Sequence, residues 1–167
     1  MTKRAKLWLL VPAALLAGAL TLSSCSSLPP LEGRVASSAL TDTDNTRLGQ
    51  ALLPLTTAHP GLAGIHSLPD GRDAFAARAV LAQAADRSLD VQYYIWRNDT
   101  TGMLMFNALR KAADRGVRVR LLLDDNNTGG LDAILSQLDA HPQIEVRLFN
   151  PNGIRSMRPL GMVADFW

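Results

Sequence analysis

Cysteine, lysine and aromatic residues are scarce in this sequence of 167 residues. Cys25 is the single cysteine, which excludes an internal disulfide and a zinc site built from several cysteines. Aromatic residues make up 5% of the chain, so the core must be mainly aliphatic. Three of the 17 basic residues and none of the 15 acidic residues precede Cys25, so the remainder carries 14 basic and 15 acidic residues. Because no basic excess remains to track a phosphate backbone, we expect no nucleic-acid partner.

The first 24 residues have the pattern of an export signal. Three basic residues precede an apolar run, Leu7 to Leu20, that is shorter than a membrane span. The following Leu22-Ser-Ser-Cys25 resembles the bacterial lipoprotein box, in which the cysteine is lipidated after cleavage. We therefore predict a signal peptide over residues 1–24 and lipid attachment at Cys25. The alternative is an ordinary signal peptide with a chance cysteine, or an uncleaved anchor.

The residue after Cys25 indicates which membrane would hold the protein. In lipoproteins a serine at this position, here Ser26, implies the outer membrane, whereas an aspartate does not. Several acyl chains hold a protein firmly at a bilayer surface. We expect a lipid-anchored protein of the bacterial cell envelope, on the periplasmic face of the outer membrane. Residues 25–44 are rich in Ser and Pro and are predicted to form a tether.

Residues 45–167 are predicted to form one α/β lobe. Thr43 or Asp44 is the expected cap of a first short helix, whose length Pro54 should limit. Further on, helical and extended patterns alternate with short links, which favours parallel strands and right-handed crossovers. The predicted helices cover residues 73–86, 100–115 and 130–140, and the predicted strands cover residues 89–96, 117–123 and 144–149.

Asp124-Asp-Asn-Asn-Thr128 follows an apolar strand, as the nucleophile of a magnesium-dependent phosphatase would. Such enzymes need a second carboxylic acid two residues further on, and this chain has Asn126 there, which cannot donate and retake a proton. We favour a structural role, in which Asp124 and Asp125 cap a loop. The three histidines, His59, His66 and His141, have no triad or metal-ligand spacing, so no metal or other cofactor is predicted.

Several segments together resemble the N-terminal part of the phospholipase D superfamily, and most closely its bacterial cardiolipin synthase C-like phosphatidyltransferases. The resemblance covers about Asn45 to Phe166 and rests on the order and spacing of four segments. They are Asp73-Ala-Phe-Ala-Ala-Arg78, Leu89-Asp-Val-Gln-Tyr-Tyr-Ile-Trp96, Ala113-Asp-Arg-Gly-Val-Arg-Val-Arg-Leu-Leu-Leu-Asp-Asp-Asn-Asn127 and His141-Pro-Gln-Ile-Glu-Val-Arg-Leu-Phe-Asn-Pro151.

The resemblance implies two similar α/β/α lobes with the active site between them. Each lobe of such an enzyme supplies a His-x-Lys-x4-Asp motif. One histidine attacks the phosphodiester and forms a phosphohistidine, the other protonates the leaving group, and the lysines bind the phosphate. The implied substrates are phosphatidylglycerol or phosphatidylethanolamine, and no metal is required.

This sequence contains no His-x-Lys, since Gly61, Leu68 and Gln143 stand two positions after the three histidines. We therefore assign no catalytic residue. We interpret the chain as a truncated phosphatidyltransferase that lacks a C-terminal half and is inactive alone. The alternatives are a non-catalytic lipoprotein that binds lipid or a partner, and a magnesium-dependent phosphatase using Asp124.

Overall fold

The computed structural model describes residues 35–152, which exclude the predicted signal peptide and Cys25. Two helices come first in these residues, and strands then alternate with two further helices, in agreement with the predicted α/β class. The helices are α1 (Arg47–Ala58), α2 (Gly71–Ala84), α3 (Thr100–Asp114) and α4 (Asp132–Asp139), and the strands are β1 (Ser88–Tyr93), β2 (Arg118–Asp124) and β3 (Ile144–Phe149). A short 3₁₀ turn, Asp125–Asn127, follows β2.

The three strands form a parallel sheet in the order β1-β2-β3, as their spacing predicts. Alternate side chains of each strand point toward the helices. Val119, Leu121 and Leu123 of the central strand are at most 1% exposed and pack with residues of α3 and α4. Leu109 of α3 and Leu135 of α4 belong to the same buried cluster. The core of this lobe is therefore a single aliphatic layer between one sheet face and the helices.

Capping side chains set the helix starts, and they differ from several predicted ones. Asp70 rather than Asp73 caps α2, because its carboxylate accepts hydrogen bonds from the Arg72 and Asp73 backbone N–H groups. Thr46 rather than Thr43 or Asp44 caps α1. The strands and helices were nonetheless predicted to within a few residues, with β1 ending three residues before the expected Trp96.

Proline does not end α1 as the sequence analysis expected. The helix continues through Pro54 to Ala58, where the backbone N–H of His59 bonds to the Thr56 carbonyl. α3 ends at Asp114, one residue before the predicted end at residue 115. Gly116, just beyond it, has a φ of 91°, in the region that favours glycine after a helix. Among residues 35–152, no helix has the length and apolar character that crossing a bilayer would require.

The sheet face opposite the helices is polar. Asp90, Arg120 and Glu145 lie side by side across the three strands. Arg120 donates from Nε and Nη2 to the two carboxylate oxygens of Asp90, each at 2.6 Å. Arg147 pairs with Glu145 on the same face. A parallel sheet usually has both faces covered, but the described residues cover only one face with helices, which is one half of the predicted α/β/α arrangement.

An extended segment, residues 35–42, is fixed to the lobe by arginine side chains; we call this segment the strap. Arg118, Arg120 and Arg147 donate to the backbone carbonyls of Ser38, Ser37 and Val35 at 2.8, 3.0 and 3.1 Å. Arg87 pairs with the carboxylate of Asp42 at 2.7 Å. Part of the segment predicted as a tether thus makes defined contacts with the lobe, mainly through its main chain.

Replacing Asp90 with Asn removes the charge from its two-point ion pair while keeping the side-chain shape. Hydrogen bonds from Arg120 lower the pKa of Asp90 against the opposing effect of partial burial. The pair therefore stabilises the fold above the ordinary carboxyl pKa, near 3.9, and loses this contribution as the pH falls through the lowered value. We expect Asp90→Asn to reduce the free energy of unfolding at pH 7 by up to about 1 kcal/mol, as measured by urea unfolding.

The two proteins should converge in stability as the pH approaches 2. Asp73→Asn, which changes an exposed carboxylate in the first turn of α2, is the control and should lose less. An equal gap between wild type and Asp90→Asn at pH 7 and at pH 2 would contradict a contribution from the carboxylate charge.

Candidate functional site

A cavity lies at the carboxyl end of β1, the edge of a parallel sheet where ligands usually bind. Its volume is about 140 Å³. Its walls come from α2, from the end of β1 with the loop after it, and from the first turns of α3. The lining residues are Phe75, Arg78, Tyr93, Ile95, Trp96, Arg97, Asp99, Thr101, Gly102 and Met105.

Aromatic side chains form one wall of this cavity. Trp96 is 4% exposed and stacks on Phe106, with ring centroids 4.3 Å apart. Tyr93 meets Trp96 edge to face at 4.9 Å. The neighbouring Tyr94, just beyond the end of β1, is exposed. Trp96 therefore packs in the core, and Tyr93 lies between the core and the cavity.

Two arginines and one aspartate carry the charges of the cavity. Arg78 donates from Nη1 to the Tyr93 hydroxyl at 3.1 Å, and its guanidinium lies 5.8 Å from the centre of the tyrosine ring. Arg97, an exposed residue that also lines the cavity, carries the second positive charge. Asp99 caps α3, and the hydrogen bond from the Gly102 backbone N–H is the largest cause that lowers the pKa of its carboxyl. With Asp99 ionised and engaged in capping, the cavity carries a net positive charge that suits an anionic group.

Gly102 allows the loop after β1 to pack against the start of α3. A Cβ at this position would lie 2.1 Å from the Arg97 carbonyl oxygen and 3.0 Å from Trp96 Nε1. Trp96 Nε1 is buried, and it has no acceptor among residues 35–152. The close approach at Gly102 therefore sets where Arg97 and Trp96 stand in the cavity wall.

Asp124 and Asp125 have the structural roles that the sequence analysis favoured. Asp124 accepts a hydrogen bond from the Asn126 backbone N–H at 3.0 Å, and this caps the 3₁₀ turn. Asp125 is fully buried and accepts a hydrogen bond from the Thr128 hydroxyl at 2.6 Å. Within residues 35–152, no group of three or more potential His, Cys, Asp or Glu ligands is close enough to hold a metal ion. This arrangement builds a loop and offers no support for the phosphatase interpretation of Asp124.

The three histidines do not share one site. His59 and His66 are exposed and line one groove formed by α1 and the segment after it, whereas His141 lies in the turn before β3. His141 accepts a hydrogen bond at Nδ1 from the Gln143 backbone N–H at 3.1 Å, so its proton is on Nε2, which lies 3.3 Å from Asp114 Oδ1. His141 thus joins the end of α3 to the turn before β3, which is a structural role.

Sequence reasoning missed Arg78, the arginine that α2 brings to the cavity. Arg78 lies three residues after Phe75, and Arg97 follows Trp96, but neither position carries a recognisable local motif. The signal available was Asp99-Thr-Thr-Gly102, an N-cap aspartate followed by a glycine within the first turn. The aspartate indicates where the helix starts, and the glycine indicates that another segment of the chain packs closely against its first turn.

Comparison with known proteins identifies the lobe. Residues 78–160 match the family model described as the cardiolipin synthase, phospholipase D-like domain. Cardiolipin synthase C of Escherichia coli strain K12 is 62% identical over 120 residues, which cover 72% of this chain and 25% of that protein. An uncharacterized protein of Helicobacter pylori is 38% identical over 130 residues, covering 75% of this chain and 25% of its own length. The chain therefore spans about a quarter of the length of these curated relatives.

Among solved structures, the archaeal chromatin protein TrmBL2 is similar at a TM-score of 0.42 and 17% identity, over 62% of this chain and 41% of that one. A similarity at this level carries no argument about the present chain. The parallel sheet and the sequence matches define a phospholipase D-like α/β lobe. The chain belongs to the phospholipase D superfamily, among its cardiolipin synthase-like members.

Gly102→Ala should destabilise the lobe by about 1–3 kcal/mol, because the added methyl group forces the Arg97 carbonyl away from α3. Gly71→Ala is the matched control, since a Cβ there meets nothing within 4 Å and the residue also lies in the first turn of a helix. It should be neutral or stabilising by up to about 1 kcal/mol. Thermal melting followed by circular dichroism measures both, and equal melting temperatures would show that the close approach at Gly102 is readily relieved.

Proposed function

We propose that this chain supplies the N-terminal lobe of a phosphatidyltransferase that makes cardiolipin or hydrolyses phospholipids. The 62% identity to a relative named cardiolipin synthase C is the observation that carries the proposal. The stretch that the family model matches, residues 78–160, includes all three strands of the sheet together with α3 and α4. The lobe would act as one side of a catalytic centre whose reacting groups lie outside this sequence.

The chemistry proposed for the complete enzyme is the one that the family resemblance implies. A histidine attacks the phosphorus of a phospholipid and releases the first alcohol, and a second lipid hydroxyl or water then takes the phosphatidyl group. The motif that provides this histidine and its lysine is not present in residues 1–167. We therefore propose that these residues alone do not catalyse the transfer, and we assign the reaction to none of His59, His66 or His141.

The described lobe would contribute an anion-binding surface beside that centre. Arg78 is held toward the cavity by the Tyr93 hydroxyl and by the Ala74 carbonyl, which accepts from Nε at 2.9 Å. A guanidinium fixed in this way loses little freedom when it binds a phosphate oxygen. Phosphatidylglycerol and phosphatidylethanolamine both carry a phosphodiester, and we propose that Arg78 contacts such a group of the lipid.

A chimera tests the proposed function. The matched stretch of the Escherichia coli relative is replaced by the corresponding residues of this chain, and cardiolipin formation is measured in a strain that makes none of its own. We expect the chimera to convert phosphatidylglycerol to cardiolipin, and we expect the 167-residue chain alone to form none. A folded chimera without activity, or activity of the chain alone, would contradict the proposal.

The same chimera tests the role of Arg78. Arg78→Met should lower cardiolipin formation about 10- to 100-fold, the effect of losing one hydrogen bond between charged groups. Arg72→Met is the control, because Arg72 lies on the same helix with its side chain 94% exposed and outside the cavity. Equal losses in the two variants would exclude a specific contact of Arg78 with the lipid phosphate.

We also propose that Cys25 is lipidated and holds the protein at a bacterial envelope membrane, on the periplasmic face of the outer membrane. The leader and the lipoprotein box support this proposal, and both lie outside the described residues. Metabolic labelling with a palmitate analogue should mark the wild-type chain and leave Cys25→Ala unmarked. Labelling that survives the substitution would show that the lipid is not attached to Cys25, and this would contradict the proposal.

A further inference from the structure

The helix α1 and the segment after it expose an apolar surface. No residue of α1 is buried, whereas α3 and α4 bury an apolar face against the sheet. Leu52, Leu55, Leu62 and Ile65 are 54, 62, 74 and 93% exposed. They line one groove of about 480 Å³, and we call these four residues the N-terminal apolar surface. An apolar patch of this kind marks a site of contact with another apolar body.

The chemistry around this surface favours a lipid over a protein. Residues 45–69 contain no acidic residue, and their single arginine, Arg47, pairs with Asp86 at 2.7 Å. No carboxylate of this stretch would therefore face the negative headgroups of phospholipids, and the nearest ones along the chain, Asp44 and Asp70, lie at its two ends. The same stretch has no Phe, Tyr or Trp, which are the residues that usually anchor protein–protein interfaces. Apart from Thr56, His59 and His66, the groove is lined by small and aliphatic side chains, which suit a fluid acyl layer better than a shaped protein partner.

The position of the surface along the chain also favours a membrane. The strap is bound to the sheet by Arg118, Arg120 and Arg147, and the start of α1 is pinned by the Arg47–Asp86 pair. Nine residues, 26–34, lie between Cys25 and the strap, and the ten residue steps from Cys25 to residue 35 span at most about 35 Å when fully extended. A lipid on Cys25 would thus keep the N-terminal apolar surface close to the bilayer.

We propose that the N-terminal apolar surface docks on the surface of a phospholipid bilayer, with Leu52, Leu55, Leu62 and Ile65 inserted among the lipids. The nearness of the membrane rests on the proposed lipidation of Cys25, but the insertion itself does not require it. This contact would orient the lobe, and thereby the cavity at Arg78, relative to its lipid substrate.

Site-specific fluorescence tests the insertion in the full chain. Cys25→Ser removes the native thiol, and Ile65→Cys then carries a fluorophore whose emission depends on polarity. With vesicles of phosphatidylglycerol and phosphatidylethanolamine, we expect a blue shift of the emission and quenching by lipids spin-labelled in their acyl chains. The control places the same label at Arg72→Cys, an exposed site outside the apolar surface, and should show neither effect. Because both labels sit on the same chain, binding of the leader to the vesicles affects them alike.

A second variant and two further conditions make the result decisive. Leu52→Asp with Leu55→Asp should raise the lipid concentration needed for half of the blue shift at least about tenfold, and circular dichroism should show an unchanged fold because neither side chain is buried. A blue shift that needs no vesicles and grows with protein concentration would assign the surface to a second copy of the chain and overturn the proposal. The proposal would also be overturned if, in the Escherichia coli chimera, the label at Ile65→Cys were buried before vesicles are added and did not respond to them. An active chimera with no insertion would refute the docking while leaving the proposed function intact.

Discussion

The two-sided environment of the central strand β2 is the constraint on which the lobe depends. One set of its side chains, Val119, Leu121 and Leu123, is almost fully buried under α3 and α4. The alternate set includes Arg118 and Arg120, which bind the strap and Asp90. A register slip of one residue would move these guanidinium groups into the aliphatic core and the leucines out of it. The sequence pattern of this strand therefore fixes the register of all three strands and the side on which the helices pack.

Arginine makes these contacts possible where lysine would serve less well. Arg115 donates from one nitrogen to the carbonyls of Ala82, Gln83 and Ala85 at the end of α2, and so satisfies acceptors that a helix leaves open. Arg120 reaches a carboxylate and a backbone carbonyl at once. A planar group with several fixed donors can join three partners in this way, whereas an ammonium is a compact point charge. The excess of arginine over lysine thus reflects how the lobe is assembled, and it says little about external anions.

The order of the elements and the parallel sheet were predictable because both follow from hydrophobic periodicity and short links. The cavity was not predictable, because its character depends on distances between segments far apart in the sequence. Arg78 acquires its role only when α2 brings it to Tyr93, and Gly102 only when the loop after β1 folds back on α3. The predicted cap of α2 was wrong for a local reason. Asp70 and Asp73 are both suitable N-cap residues, and the structure uses Asp70. The prediction that Pro54 limits α1 was wrong because a proline inside a helix is unfavourable but not forbidden.

The proposed division of labour explains why this lobe has a charged cavity but no groups suited to phosphoryl chemistry. Transfer through a histidine needs a nucleophile, a proton donor and cations around one phosphorus atom. Within residues 35–152, the histidines are exposed or engaged with Asp114 and Gln143, and the aspartates after β2 build a loop. The lobe has a positively charged cavity with an aromatic wall. It also has the N-terminal apolar surface, which lies on the same side of the chain as the proposed lipid attachment at Cys25 in sequence. In the function proposed above, both features would act on the position of a lipid. We therefore infer that this part of the protein governs where the phospholipid sits, and that the bond-making groups are supplied separately.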